Sequence, residues 1–146
     1  MLSLPEQSID NARLEQKENP MTGTTLLITA YEVADGPATM LVMRDERVVC
    51  KYQHPTGLGG SCRLGSEIFT VDRRGTFFRV KIGCREIARE EVAQASTAED
   101  AHDLTQYGKR LAVACPQGSL ITLLEPTTGH TSVVRPWKPP CDYPDP

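Results

Sequence analysis

The sequence predicts an all-β protein made of three consecutive antiparallel β-meander repeats, and three observations support this. A glycine-punctuated pattern recurs every 42–43 residues. The apolar residues are mostly Val, Leu, Ile and Ala, which lie in short runs between turns. The chain also contains 11 glycines and 11 prolines but only 5% aromatic residues, a balance typical of turn-rich β proteins rather than helical bundles.

The repeat is defined by three glycines, Gly23, Gly65 and Gly108, which are 42 and 43 residues apart. Each glycine can adopt the positive φ of a tight turn, and each is followed by two polar or charged positions and an apolar run. These runs predict the central strands of three successive sheets: Leu26–Ala30, Ile68–Val71 and Leu111–Ala114.

A second glycine divides each repeat. Gly75 and Gly118 lie ten residues after the first glycine of their repeats, and Gly36 lies thirteen residues after its own. An apolar strand joined to the first by a hairpin is predicted after each one. These second strands are Thr39–Met43, Phe77–Lys81 and Leu120–Leu124.

A third extended stretch follows a polar turn in each repeat. It is clear in Val48–Tyr52 and Thr131–Val134. In the middle repeat the segment Glu86–Val92 is highly charged, and its pattern fits either a strand or a helix. A period of 42–43 residues with about four strands is typical of propeller blades. The alternative is a plain antiparallel sandwich or barrel in which the spacing is coincidental.

These repeats, read as Gly-x-x-apolar followed by a glycine hairpin, resemble β-propellers of the NHL-repeat and gluconolactonase-like superfamily. Within it the chain is similar to uncharacterised bacterial propeller proteins. The resemblance covers Gly23 to Pro146, and it includes neither the Trp-Asp signature nor the paired glycines of two other propeller classes. It therefore implies a fold and not a chemistry.

The predicted organisation is a flexible N-terminal arm, residues 1–22, followed by a partial propeller of about three blades, residues 23–146. Met21 is a second candidate for the start of translation. A closed propeller needs about four to eight blades, and the chain ends where a fourth would begin. We expect a fragment of a longer propeller; a subunit that completes a ring by self-association and an open three-sheet fold are the alternatives.

Charge and cysteine usage limit the partners and the location. The net charge of −3 argues against nucleic-acid binding, which usually needs a basic face. No apolar run is long enough for a membrane span, and no signal-peptide pattern is present, so we expect a cytoplasmic protein without a membrane partner. The five cysteines form no CxxC motif, which favours reduced thiols over zinc ligands or a disulfide framework.

The densest group of polar side chains is Glu99–Asp103, just before the predicted strand Leu104–Tyr107. In a propeller, such a segment borders the central channel, so His102 and Asp103 are the predicted ligand-binding pair. The alternative is that Asp103 caps a turn and His102 packs on the loop. His54, next to Pro55, is a further candidate binding residue. The pattern Asp72-Arg73-Arg74-Gly75 predicts an ordinary charged hairpin tip.

The predicted function is a non-catalytic module that binds a protein or a small-molecule ligand on the propeller face. No catalytic residue and no metal site can be assigned, and we expect no cofactor. The alternative is part of a metal-dependent lactone or ester hydrolase of the gluconolactonase-like type, although the resemblance by itself does not carry that activity over. Those enzymes bind one divalent cation through side chains from several blades, whereas only Asp103 occupies a suitable position here. We therefore favour a binding protein over an enzyme, with self-association as one mode of binding.

Overall fold

The computed structural model describes residues 25–31, 36–116 and 119–135. In these residues the chain forms eleven strands in three antiparallel sheets, and it contains no α-helix. None of the described segments is a helix that could cross a membrane. The predicted arm, residues 1–22, and with it Met21, lies outside the described residues, as do Gly118 and residues 136–146.

The three sheets follow one another along the chain. Sheet A contains β1 (Thr25–Tyr31), β2 (Ala38–Arg44) and β3 (Arg47–His54). Sheet B contains β4 (Leu58–Leu64), β5 (Glu67–Asp72), β6 (Arg74–Ile82) and β7 (Ile87–Glu99). Sheet C contains β8 (Asp103–Tyr107), β9 (Arg110–Cys115), β10 (Leu120–Glu125) and β11 (His130–Val134). Each sheet is a meander in which every strand pairs with the next one.

The predicted all-β meander repeats are therefore confirmed. The first and second predicted strands of each repeat pair as hairpins: β1 with β2, β5 with β6, and β9 with β10. One position differs from the prediction. β5 and β9 are central strands, but β1 lies at the edge of sheet A among the described residues. The three sheets are arranged like part of a propeller and do not close into a ring.

The charged segment that fitted either a strand or a helix belongs to strand β7. Strand β7 pairs with β6, beginning at the pair formed by Ile82 and Ile87, and the register shifts at two places along the two strands. Its charge is explained by this partner, because Glu90 lies 3.2 Å from Arg79 and 3.6 Å from Lys81, both on β6. Opposite charges across neighbouring strands stabilise an antiparallel pair, which a single-strand pattern cannot reveal.

Two apolar cores hold the sheets together, and we name them after the sheets they join. The B–C core is the larger: Phe69, Val71, Phe77, Ala95, Ala98, Ala101, Leu104, Leu111, Val113, Cys115 and Leu124. The A–B core is smaller: Ala38, Met40, Leu58 and Val80, with Leu27, Tyr52, Ile68, Ile82 and Ile87 packed against it. Most core residues alternate along their strands, for example Phe69 and Val71, Leu111 and Val113, and Ala38 and Met40, as the two-residue period of a strand requires.

A close approach between sheets B and C brings the predicted site together. A Cβ atom on Gly59 would overlap the carbonyl group of Ala101, so β4 and the segment before β8 contact each other backbone to backbone. A second contact joins β10 to β7: the Thr122 hydroxyl donates to the carbonyl oxygen of Thr97 at 2.8 Å. Sheet C is therefore tied to β4 and to the end of β7.

Candidate functional site

Three connecting segments of sheets A, B and C meet at one end of the molecule. The backbone N–H of Arg73, in the β5–β6 turn, donates to the carbonyl of Gly57 at 2.9 Å. The N–H of Asp100, between β7 and β8, donates in turn to the carbonyl of Arg73 at 2.9 Å. The side chains of Arg73 and Asp100 also form an ion pair. The β3–β4, β5–β6 and β7–β8 connections therefore form one continuous loop cluster.

Two of the predicted ligand-binding residues lie beside this cluster. The His102 side chain is 52% exposed, and its Nε2 lies 3.8 Å from Oδ2 of Asp100. Asp103 is the first residue of β8 and is exposed, and its Oδ1 accepts a hydrogen bond from the N–H of Leu104 at 2.8 Å. A Cβ on Gly60 would lie 3.4 Å from Cα of Asp103, so Asp103 lies close to the start of β4.

The third predicted residue, His54, is the last residue of β3 and has different partners from this pair. It is only 3% exposed, and its Nε2 lies 3.2 Å from Oδ2 of Asp72. Arg89 donates to Nδ1 of the same ring. Because a guanidinium group only donates, Nδ1 must accept, so Nε2 carries the proton that is donated to Asp72. Both ring nitrogens of His54 are therefore used by other side chains.

Asp72 is the centre of a buried hydrogen-bond network. Its Oδ1 accepts from the backbone N–H groups of Arg74 and Thr76 at 3.0 and 2.9 Å. Its Oδ2 accepts from the Thr56 hydroxyl at 3.3 Å in addition to His54. Burial alone would raise the pKa of Asp72, but the hydrogen bonds from His54, Thr76 and Arg74 hold that pKa below its ordinary value.

Arg89 extends the network into an aromatic cluster. Its guanidinium carbon lies 4.3 Å from the ring centre of Tyr52 and 4.8 Å from that of Phe78. The Phe78 ring packs edge-on against His54 at 5.4 Å. Sequence reasoning treated Asp72 as an ordinary hairpin tip and did not single out Arg89, because His54 is 18 residues from the first and 35 from the second.

A separate cavity of about 620 Å³ opens between sheets A and B, and we call it the A–B cleft. It is lined by residues of β1, β2, β4, β5, β6 and the β4–β5 turn: Thr25, Leu27, Arg44, Ser61, Cys62, Arg63, Ser66, Ile68 and Ile82. Sequence analysis did not identify it. The sequence feature that could have indicated the cleft is the alternation of the polar residues Ser61 and Arg63 along β4. The same alternation is equally typical of a strand face exposed to solvent.

Two buried polar atoms of the cleft have no hydrogen-bond partner: Nε of Arg44 and Oγ of Ser61. Cys62, the residue between Ser61 and Arg63, also borders the cleft, but its side chain packs against the B–C core. Burial, and to a smaller degree the nearby charge of Asp103, raise the pKa of its thiol. A protonated thiol is a weak nucleophile, so the Cys62 thiol is not activated for covalent chemistry.

The described residues contain no group of three His, Cys, Asp or Glu side chains arranged to hold a metal ion. The metal-dependent hydrolase stays a prediction that these residues neither support nor test. No family model matches the sequence, and no curated protein matches it. Function is therefore inferred from the chemistry of the chain's own residues.

Proposed function

We propose that the protein is a non-catalytic protein-binding module that associates through the faces of its two end sheets. The observation that supports this is the presence of exposed apolar side chains on both faces. Sheets A and C each use one face in a core shared with sheet B. Their opposite faces, which have no neighbouring sheet among the described residues, also carry apolar side chains.

The outer face of sheet C is the face opposite the B–C core. Because Leu111, Val113 and Leu124 point into that core, the alternate residues point away from it. The outward apolar residues are Tyr107, Ala112, Ala114, Ile121, Leu123 and Val134, and the strand register places them among the polar residues Asp103, Thr105, Arg110, Glu125, His130 and Ser132. Ile121 pairs with both Ala114 and Val134. Tyr107 is 65% exposed and Val134 is 43% exposed, so part of this face is accessible to a partner.

The outer face of sheet A has the same character. Leu27 and Met40 pack on the A–B core, so the neighbouring residues on their strands point the other way. Leu26, Met43 and Val48 form one row across the three strands, since Leu26 pairs with Met43 and Met43 pairs with Val48. Leu26 and Val48 are both more than half exposed.

The partner that fits both faces with the fewest assumptions is a second copy of the chain. The B–C core is an example of two such faces packed together within this fold. If sheet A of one copy packs on sheet C of the other, a twofold axis repeats the contact and closes a ring of six sheets. Six lies within the range of about four to eight blades of a closed propeller. Ring closure would remove both apolar faces from water.

Sedimentation and light scattering of the purified chain test this proposal. We expect a particle of twice the 16.1 kDa mass of one chain. Val48→Glu and Val134→Glu should each weaken association, because each places a charge on one of the two faces. Thr127→Glu adds the same charge in the exposed β10–β11 turn and should leave association unchanged.

A mixture of the two variants separates ring closure from a simpler dimer. In each variant alone, both contacts of the ring contain one altered face. When Val48→Glu and Val134→Glu chains are mixed, one contact joins two altered faces and the other joins two native faces. We expect the mixture to associate more strongly than either variant alone. A monodisperse native monomer, or equal effects of Val134→Glu and Thr127→Glu, would contradict the proposal.

A further inference from the structure

The lining of the A–B cleft contains positively charged side chains and no acidic ones. Two of its nine lining residues are arginines, Arg44 and Arg63, and none is Asp or Glu. Within the described part of the chain, neither arginine belongs to an ion pair. Guanidinium groups present a planar set of donors that matches carboxylate or phosphate oxygens. The cleft therefore has the charge of an anion site.

The Arg44 side chain is held in place across the cleft. Its Nη2 donates to the carbonyl of Gly83 at 3.0 Å, and its Nη1 lies 3.5 Å from the carbonyl of Cys84, both in the β6–β7 turn. Its Nε is buried and has no partner. On the opposite strand, Arg63 uses its Nε to donate to the carbonyl of Gly65 at 2.8 Å. Fixed donors lower the entropic cost of binding, because little ordering is left for the ligand to impose.

The Ser61 hydroxyl supplies a further polar group. Ser61 lies on β4 of sheet B and lines the cleft. Its Oγ is buried and lacks a hydrogen-bond partner. A buried hydroxyl or N–H without a partner is unfavourable, and most such groups in proteins are satisfied. Ligand acceptor oxygens that reached these two atoms, Ser61 Oγ and Arg44 Nε, would satisfy them. Two unpartnered donors in one cavity therefore point to a ligand with acceptor oxygens.

The rest of the lining is apolar. Leu27, Ile68 and Ile82 come from three different strands and pack against the A–B core. The volume of about 620 Å³ lies in the range of small-molecule sites. We infer that the A–B cleft binds a small organic anion, whose carboxylate or phosphate group contacts Arg44, Arg63 and Ser61 and whose apolar part packs on Leu27, Ile68 and Ile82. This site does not depend on association through the outer faces.

Backbone amide chemical shifts of the full chain, measured during titration with simple probes, test the inference. The probes are hexanoate, hexyl phosphate, inorganic phosphate, hexanol and hexylammonium, each at millimolar concentration. We expect hexanoate, hexyl phosphate or both to shift the amides of Ser61, Ile68 and Ile82, and the relative response identifies the preferred anionic group. Inorganic phosphate should bind more weakly because it leaves the apolar lining unused. Hexanol and hexylammonium should cause no saturable shift there.

Two variants and a control link the shifts to the cleft. Arg63→Gln should weaken binding of the anionic probe about tenfold, because it removes a charged hydrogen-bond donor. Ser66→Glu, in the exposed β4–β5 turn, should weaken binding by adding a negative charge to the lining. Arg47→Gln removes the same charge at an exposed position outside the cleft and should bind like the native chain. Added salt should weaken binding of the anions.

Three results would overturn the inference. One is the absence of cleft shifts with every anionic probe. Another is an equal response to hexanol, which would mean that the apolar lining alone binds the probes. The third is native affinity in folded Arg63→Gln or Ser66→Glu. Because the two variants act by different means and lie at exposed positions, failure of one to fold leaves the other as the test.

Discussion

Nε2 of His54 lies 3.2 Å from Oδ2 of Asp72, and both side chains are almost completely buried. His54 is the last residue of β3 in sheet A, and Asp72 is the last residue of β5 in sheet B. The contact therefore joins two sheets whose shared apolar core is the smaller of the two. A polar link in this place compensates for the limited apolar contact between sheets A and B.

Asp72→Asn should destabilise the protein by about 2 kcal/mol or more, because a charged acceptor with several buried donors is lost. The effect should depend on pH. Hydrogen bonds lower the pKa of Asp72 in the folded state, so below the ordinary pKa of about 4 the unfolded chain takes up a proton that the folded chain does not. Stability should therefore fall as the pH decreases from about 5 to 3.

Urea unfolding of the native chain and Asp72→Asn across this pH range measures the difference. The free energy of unfolding of Asp72→Asn should decrease less steeply with falling pH. Asp45→Asn is the matched control, because Asp45 lies in the exposed β2–β3 turn. It should retain the native pH dependence. If the free energy of unfolding depended on pH in the same way for the native chain and Asp72→Asn, the lowered pKa of Asp72 would not contribute to stability.

A second prediction compares two glycines with similar backbones. Gly75 has φ 77° and Gly108 has φ 60°, so both favour glycine. A Cβ at Gly75 would overlap the carbonyl oxygen of Ala95, whereas a Cβ at Gly108 would meet nothing within 4 Å. Gly108→Ala should cost about 1 kcal/mol from the backbone alone, and Gly75→Ala should cost clearly more. Equal losses in thermal melts would show that the Ala95 contact adjusts easily.

Arg89 provides a third prediction. Arg89→Lys keeps the charge but loses the planar group that stacks between Tyr52 and Phe78. It also loses part of the donation to His54 and the Tyr52 hydroxyl. We expect a loss of about 1–2 kcal/mol in urea unfolding. Arg47→Lys, at an exposed position, should change stability very little. If both substitutions had the same small effect, the stacking would contribute nothing measurable.

The fold could be predicted from sequence because its signals are local. Glycines at a fixed period mark the turns, and Gly65, Gly75 and Gly108 all have positive φ. Alternating apolar residues then define strands whose nearest partner is the next strand. The edge position of β1 was not predicted. The three repeats look alike in sequence, so their first strands were all expected at the centre of a sheet, whereas sheet A has three described strands and sheets B and C have four. Local patterns thus predict which strands pair better than they predict how many strands each sheet contains.

The candidate sites were harder to predict because they depend on contacts between distant residues. The His102–Asp103 pair was visible as a polar cluster in one loop. The environment of His54 depends on Asp72 and Arg89, and the A–B cleft depends on six separate elements. An arginine on a strand looks the same in sequence whether it faces water or a cavity. Only the packing of sheets A and B distinguishes the two.

The last prediction concerns Asp103, one of the two predicted ligand-binding residues at the loop cluster. Asp103 is exposed, and among the described residues its side chain accepts only the local hydrogen bond from the N–H of Leu104. Surface substitutions of this kind usually change stability by less than about 0.5 kcal/mol, so Asp103→Ala should melt close to the native chain. If Asp103 instead stabilises the start of β8 as a cap does, the loss should approach 1 kcal/mol.

Thermal melts with and without Ca²⁺, Mg²⁺ and Zn²⁺ separate the two roles of Asp103. A ligand-binding Asp103 predicts that any ion-dependent increase in melting temperature of the native chain disappears in Asp103→Ala. His102→Gln should reduce the same increase, because His102 is its exposed neighbour. Thr105→Ala, two residues further along β8 and also exposed, serves as the control. A loss of stability in Asp103→Ala without any ion response in the native chain would assign Asp103 to turn structure, since a binding residue has no reason to stabilise the unliganded fold.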